Sequence, residues 1–257
     1  MAARPLKDLR TVRPHGDRRG GSEPAPGAPW RNFYGRLKGK ALKPAQERDL
    51  EELLPRHAIP GVSWSENPER TALDMAALFG ASSALLEIGF GGGEHLATLA
   101  EAHPERVFLG CEPYINGVAM LLGKIRRRGL SNIWIHPGAA RDLFAVLPRA
   151  SLDGAYLLYP DPWPKARHHR RRFVTPEHLD PLARALAPGA PFFEATDIAD
   201  YVRQSLEEIP RAGFRWEAEE AAHWRSPWPG WTSTRYEAKA LREGRTPHYL
   251  RFGRLED

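Results

Sequence analysis

The sequence predicts an α/β fold built on a doubly wound, mostly parallel sheet. Three observations carry this. Short apolar runs alternate with helical segments from Ala84 to Ile209. The first run ends in a glycine cluster that opens a helix. After Gly213 the alternation stops, and short extended segments follow with no long helices between them. Strands separated by helices pair in parallel through right-handed crossovers. The change after Gly213 predicts an antiparallel addition at one sheet edge.

The elements follow in order. Residues 1–29 contain Pro5, Pro14, Pro24, Pro26 and Pro29 with glycines between them, and hold no apolar period. They predict a disordered basic tail, with no apolar core of a secretory signal, ahead of one domain over residues 30–257. Trp30–Lys40 is basic with interleaved aromatics, a mixture suited to docking on the body or on RNA. Residues 44–54 read as a short helix with Leu50, Leu53 and Leu54 on one side. Strands are expected at Ala84–Ile88, Val107–Cys111, Asn132–His136, Asp153–Tyr159 and Pro191–Ala195. Helices are expected at Glu94–His103, Ile115–Arg128, Arg141–Leu147, Pro176–Leu186 and Asp200–Ile209. Phe214–Glu217, Thr234–Ala240 and His248–Phe252 read as the final strands.

Composition narrows the class. The 257 residues are 42% hydrophobic, enough for a packed core. The single cysteine, Cys111, excludes a disulfide scaffold and any multi-cysteine zinc site, and the histidines lack zinc-ligand spacing, so no metal is expected. No apolar stretch reaches the roughly 18 residues of a membrane span. A cytoplasmic chain is expected. Residues 1–40 carry 10 Lys+Arg against 3 Asp+Glu, whereas the rest carries 27 against 29. A basic arm on a near-neutral body suits a polyanion such as nucleic acid.

Glu87-Ile88-Gly89-Phe90-Gly91-Gly92-Gly93 joins the first strand to the first helix of the sheet. Ligands of such sheets bind beyond the C-terminal strand ends, where strand order reverses. A dinucleotide fingerprint requires a third glycine where this chain has Glu94. Glu87 and Glu94 would then flank a pyrophosphate, an unfavourable placement. S-adenosylmethionine carries a sulfonium and an ammonium and suits Glu87. Bare backbone at Gly89 and Gly91 allows close approach. Glu112, about 20 residues beyond the loop at the end of the second strand, is placed to accept both ribose hydroxyls.

The fourth strand ends in Tyr159-Pro160-Asp161-Pro162-Trp163-Pro164-Lys165-Ala166-Arg167-His168-His169-Arg170-Arg171-Arg172. Two prolines hold Asp161 on a stiff turn at the switch point. The basic run beside it suits phosphate contacts. This segment, with L-E-I-G-F-G-G-G, R-N-F-Y-G-R, the E-A-T-D ending at Asp197, and Thr234-Arg235-Tyr236-Glu237, resembles the bacterial tRNA (guanine-N7-)-methyltransferase family from about Arg31 to Phe252.

The resemblance implies a class I methyltransferase, Rossmann-like fold with a doubly wound, mostly parallel seven-stranded sheet. It implies methylation of the variable-loop guanosine (forty-six in tRNA counting). S-adenosylmethionine is the implied donor, S-adenosylhomocysteine the product and tRNA the partner, with no obligate protein partner, as monomer or homodimer. It implies cofactor contacts at Glu87, Gly89, Gly91, Glu112, Gly138, Ala139 and Asp161. Asp161 is also the implied catalytic residue. Lys165, Asp197, Thr234, Arg235, Tyr236 and Glu237 are the implied substrate contacts, and Arg167, His168, His169, Arg170, Arg171 and Arg172 the RNA-contacting loop. The family commonly has Asp-Ala where this chain has Gly138-Ala139. Backbone near Gly138, or Asp142, could substitute for the acidic contact to adenine.

Guanine N7 has a free lone pair and no proton, so its attack on a methyl group needs no general base. The site must align the atoms and exclude water. Asp161 or Asp197 is placed to grip the guanine edge bearing N1–H and N2–H. Trp163, Tyr236 and Phe33 are candidates to stack on an exposed base. Trp224, Trp228 and Trp231 mark either a lid or local packing. Other readings are an amino-methyltransferase acting on adenine or cytosine, whose [D/N]-P-P-[aromatic] motif is close to Asp161-Pro162-Trp163, a non-catalytic RNA-binding protein of this fold, and a small-molecule methyltransferase.

Overall fold

The computed structural model describes residues 34–256, so the expected tail and Phe33 lie outside the described residues. The sheet comprises β1 (Ala84–Ile88), β2 (Phe108–Cys111), β3 (Ile133–His136), β4 (Leu152–Leu158), β5 (Pro191–Thr196), β6 (Phe214–Trp216) and β7 (His248–Arg254). Its order is β3-β2-β1-β4-β5-β7-β6. The first five strands are parallel, and β7 runs antiparallel to both β5 and β6. This is the predicted doubly wound sheet with an antiparallel edge.

Every residue of β1 is buried, as a central strand covered on both faces requires. Around the sheet pack α1 (Pro44–Glu52), α2 (Leu54–His57), α3 (Met75–Phe79), α4 (Glu94–Ala102), α5 (Ile115–Arg128), α6 (Ala140–Phe144), α7 (Pro176–Ala185), α8 (Ala199–Arg211), α9 (Ala222–Arg225) and α10 (Arg235–Arg242). One core lies on the α3, α6, α7 and α8 side, another on the α1, α4 and α5 side. The apolar stripe of α5 enters the second core. That helix stops at Gly129, which takes the left-handed φ of 65°, after Arg126–Arg128 in its last turn, the charge its C-terminal dipole favours.

One element departs from the sequence reading. Thr234–Ala240 is not a strand but the start of α10. Thr234 caps the helix, its Oγ1 accepting a hydrogen bond from the Glu237 amide. The Thr-x-x-Glu spacing is a helix-start signature, which here outweighs the strand preference of Thr and Tyr.

Candidate active site

A cleft of about 900 Å³ opens at the C-terminal ends of β1, β2 and β4, where strand order reverses. Gly89, Gly91, Glu112, Ala139, Asp161, Arg235 and Tyr236 line it. Gly89 and Gly91 adopt φ of 68° and 55°, a region where side chains are strained. No atom lies within 4 Å of the direction a Gly89 Cβ would take, so open space faces bare backbone there.

Glu112 is buried at the end of β2. One carboxylate oxygen accepts from the Gly91 amide at 2.7 Å and the other from the Tyr114 amide at 2.8 Å. Each oxygen keeps a lone pair, enough to accept two further hydroxyls. Burial pushes the Glu112 acid up, the two amides pull it down, and the Asp161 charge raises it further. Asp161 is open to the cleft but sunk within it. Desolvation pushes its acid up and Arg36, also on the cleft wall, lowers it. A cationic ligand between these two carboxylates relieves both penalties.

The turn holding Asp161 is strained: Tyr159 and Trp163 have φ of 50° and 40°. Trp163 meets Tyr34 edge-on with ring centres 6.3 Å apart, and the Arg171 guanidinium lies 4.4 Å from the Tyr34 ring centre and 5.0 Å from that of Trp163. The aromatic-basic segment before α1 thus docks at the cleft mouth. Asn116 secures it, accepting from the Gly39 amide at 2.8 Å and donating to the Lys40 carbonyl at 2.8 Å. The sequence suits the Trp30–Lys40 segment, with Tyr34 and Arg36, to docking on the body or on RNA, and the structure seats its described part on the body at the cleft mouth. Asn116 has no role in the sequence reading, because no motif marks the residue of α5 on which the segment is held.

The remaining expected residues divide. Arg235 and Tyr236 lie over the glycine loop; a Cβ on Gly91 would come within 3.0 Å of the Tyr236 ring. Glu87 lies off the cleft wall, and its carboxylate meets His95 Nδ1 at 2.8 Å beneath the loop. Gly138 is packed under His136, where a Cβ would lie 2.4 Å from Nε2. A side chain at 138 and that ring compete for the same space. Asp142 faces the same ring, 4.0 Å from Nε2.

Asp197 also lies off the wall and accepts a hydrogen bond from Arg245. Glu237 is buried, accepting from Trp231 Nε1 at 3.1 Å and from the Tyr249 hydroxyl. Trp228 and Trp231 pack against Phe193, Tyr249 and His95, so this part of the tryptophan cluster is local packing. Trp224 stacks on His248.

The basic run forms a 3₁₀ turn over Ala166–Arg171. Lys165, Arg167 and Arg170 are exposed. His168 packs edge-on against Trp163, and His169 meets Asp200 at 3.3 Å. Arg172 departs from the expected surface run. Its guanidinium is 0% exposed and bonded inside the protein, out of reach of a phosphate at the surface. No group of three or more metal-ligating side chains occurs among the described residues, and no described helix is long and apolar enough to cross a membrane.

Residues 81–250 match a family model described as "Putative methyltransferase". The chain is 65% identical over 232 residues to the tRNA (guanine-N(7)-)-methyltransferase of Ruegeria sp. (strain TM1040), covering 90% of this chain and 91% of that protein. It is 47% identical over 230 residues to the protein of that name from Nitrobacter hamburgensis, covering 88% of each. Among solved structures it is similar to the 16S rRNA methyltransferase KamB, with a TM-score of 0.50 and 17% identity, covering 68% of this chain and 88% of that one. At that identity the likeness speaks for the fold alone.

Proposed function

The chain belongs to the tRNA (guanine-N7-)-methyltransferase family, and from that premise we propose that it methylates N7 of the variable-loop guanosine of tRNA. S-adenosylmethionine is the donor. The observation that carries the reading is the pair of carboxylates, Glu112 and Asp161, on one glycine-floored cleft beside exposed Lys165, Arg167 and Arg170. The pair suits a cation-bearing cofactor, and the exposed basic residues suit phosphates.

The cofactor supplies a methyl group activated by its sulfonium. Glu112 would hold the ribose hydroxyls on its free lone pairs, and bare backbone at Gly89 would let the ligand approach the floor. Ala139 lines the same cleft, and backbone groups near Gly138, or Asp142, would take the place of the family's acidic contact to adenine. Asp161 accepts from the guanine N1–H and N2–H edge and stabilises the positive charge that develops on the ring. N7 attacks with its own lone pair, so Asp161 orients the base and abstracts no proton. Tyr34 and Trp163 at the cleft mouth receive a base drawn from its tertiary contacts. The chain works in the cytoplasm with tRNA as partner and needs no other protein.

The test is methyl transfer to unmodified tRNA with and without a guanosine at the variable-loop site, followed by mass-spectrometric mapping of the methylated atom. N7 methylation that vanishes with the guanosine is expected. Methylation of an exocyclic amine would overturn the reading in favour of an amino-methyltransferase. Asp161→Asn should lower the single-turnover rate at saturating tRNA by roughly 100-fold; near-full activity would remove Asp161 from this role.

A further inference from the structure

We propose that Arg172 is a positioning residue for methyl transfer, clamping the turn that carries Asp161 to the helix that follows Asp197. Its neighbours Lys165, Arg167 and Arg170 face solvent, but its guanidinium is fully enclosed. A buried guanidinium must spend its donors inside the protein. Nε donates to the Pro162 carbonyl at 2.8 Å. Nη1 donates to Gln204 Oε1 at 2.8 Å and more weakly to the Asp200 carbonyl at 3.4 Å. Nη2 donates to Asp200 Oδ2 at 2.8 Å, and the group lies 5.1 Å from the Tyr201 ring centre.

These partners sit on two elements. Pro162 lies between Asp161 and Trp163, inside the strained turn. Asp200, Tyr201 and Gln204 lie on α8, whose first residue is two after Asp197. One planar fork therefore spans the gap between the two loops that bear the candidate guanine-gripping carboxylates. A turn with two left-handed non-glycine residues persists only when its surroundings hold it. The Nε bond to Pro162 supplies such a hold. Lysine, a point charge without the fork, could not serve both elements.

The proposal rests on reading the cleft as a guanine-N7 methyltransferase site; failure of the unaltered chain to methylate tRNA would sink that reading instead. The test uses Arg172→Lys and Asp200→Asn in the full chain. Single-turnover rate at saturating tRNA, tRNA affinity across a salt series, and S-adenosylmethionine affinity by calorimetry are measured. Both variants are expected to lose roughly 10- to 100-fold in rate, with tRNA affinity, its salt slope and cofactor affinity close to those of the unaltered chain. A phosphate contact gives another pattern: Arg172→Lys reaches full rate once tRNA saturates, and Asp200→Asn binds tRNA more tightly at unchanged rate. That pattern would overturn the proposal. So would parallel loss of cofactor affinity, which marks a purely structural residue. If Arg172→Lys does not fold, Asp200→Asn decides alone.

Discussion

Gly117 on α5 lies so close to the glycine loop that a Cβ there would sit 2.2 Å from the Gly91 carbonyl oxygen. The helix after β2 thus supports the cleft floor by backbone contact, and Glu112 ties the same loop from the other side through the Gly91 amide. Gly117→Ala should push the loop into the cleft. We expect a loss of about 1–3 kcal/mol of stability, the usual cost of overpacking, with weaker S-adenosylmethionine binding. Thermal melts and calorimetry check both; unchanged cofactor affinity would show that the loop does not depend on this contact.

Glu194 is fully buried in β5, with Ser205 donating to one oxygen at 2.8 Å. Burial pushes its acid up to about 8, with the Ser205 hydrogen bond partly opposing. Between its unfolded value of about 4.3 and about 8, the folded chain holds a proton that the unfolded chain has released. Stability therefore falls as pH rises across that window, by up to about 1.4 kcal/mol per pH unit for one proton. Glu194→Gln should flatten the decline and melt above the unaltered chain near pH 8. Melting curves from pH 5 to 9 that stay parallel would show that Glu194 does not cause it.

Glu237 gathers Trp231, Tyr249 and the first turn of α10. Glu237→Ala strands the buried indole and phenol donors, at about 1–3 kcal/mol for each. The same change frees Trp231 from its seat. Red-shifted tryptophan emission together with a lowered Tm is the expected signature; an unshifted spectrum would separate Glu237 from the tryptophan packing.

Asn116 holds residues 37–40 on α5 with two side-chain hydrogen bonds, and the Ile115 amide adds a third bond to the Leu37 carbonyl at 3.1 Å. Asn116→Ala should release Tyr34 and Arg36 from the cleft mouth. We expect KM for tRNA to rise roughly 5- to 30-fold, the equivalent of 1–2 kcal/mol, with faster proteolysis before α1. Cofactor affinity should hold, because the glycine loop does not rest on this segment. Removing residues 1–29 should also weaken tRNA binding, and flatten its salt dependence, while leaving the saturated rate intact.

Much of the chain was legible in its sequence because local rules coincide with the fold. The apolar runs of the parallel strands, the glycines at positive φ after β1, and the prolines around Asp161 each express a backbone requirement that residue type alone reveals. The α10 segment misled because Thr234 and Tyr236 favour strands, although the Thr234-x-x-Glu237 spacing already carries the helix-start signature that the Thr234 cap realises.

The sequence by itself determined the fold class, the glycine turn after the first strand and the family, and it singled out Glu112 and Asp161, which the structure brings to one cleft. Tertiary structure decided which members of a motif face the cleft. Arg172 closes an unbroken run of basic residues yet turns inward, where Asp200, Gln204 and Pro162 accept from its guanidinium in place of water. Glu87 belongs to the glycine motif yet pairs with His95 below it. Tyr34 and Arg36, more than a hundred residues from Asp161, reach its cleft through a clamp on α5. Residue type sets which bonds a side chain can make, and packing alone sets which partners come within 3 Å of it.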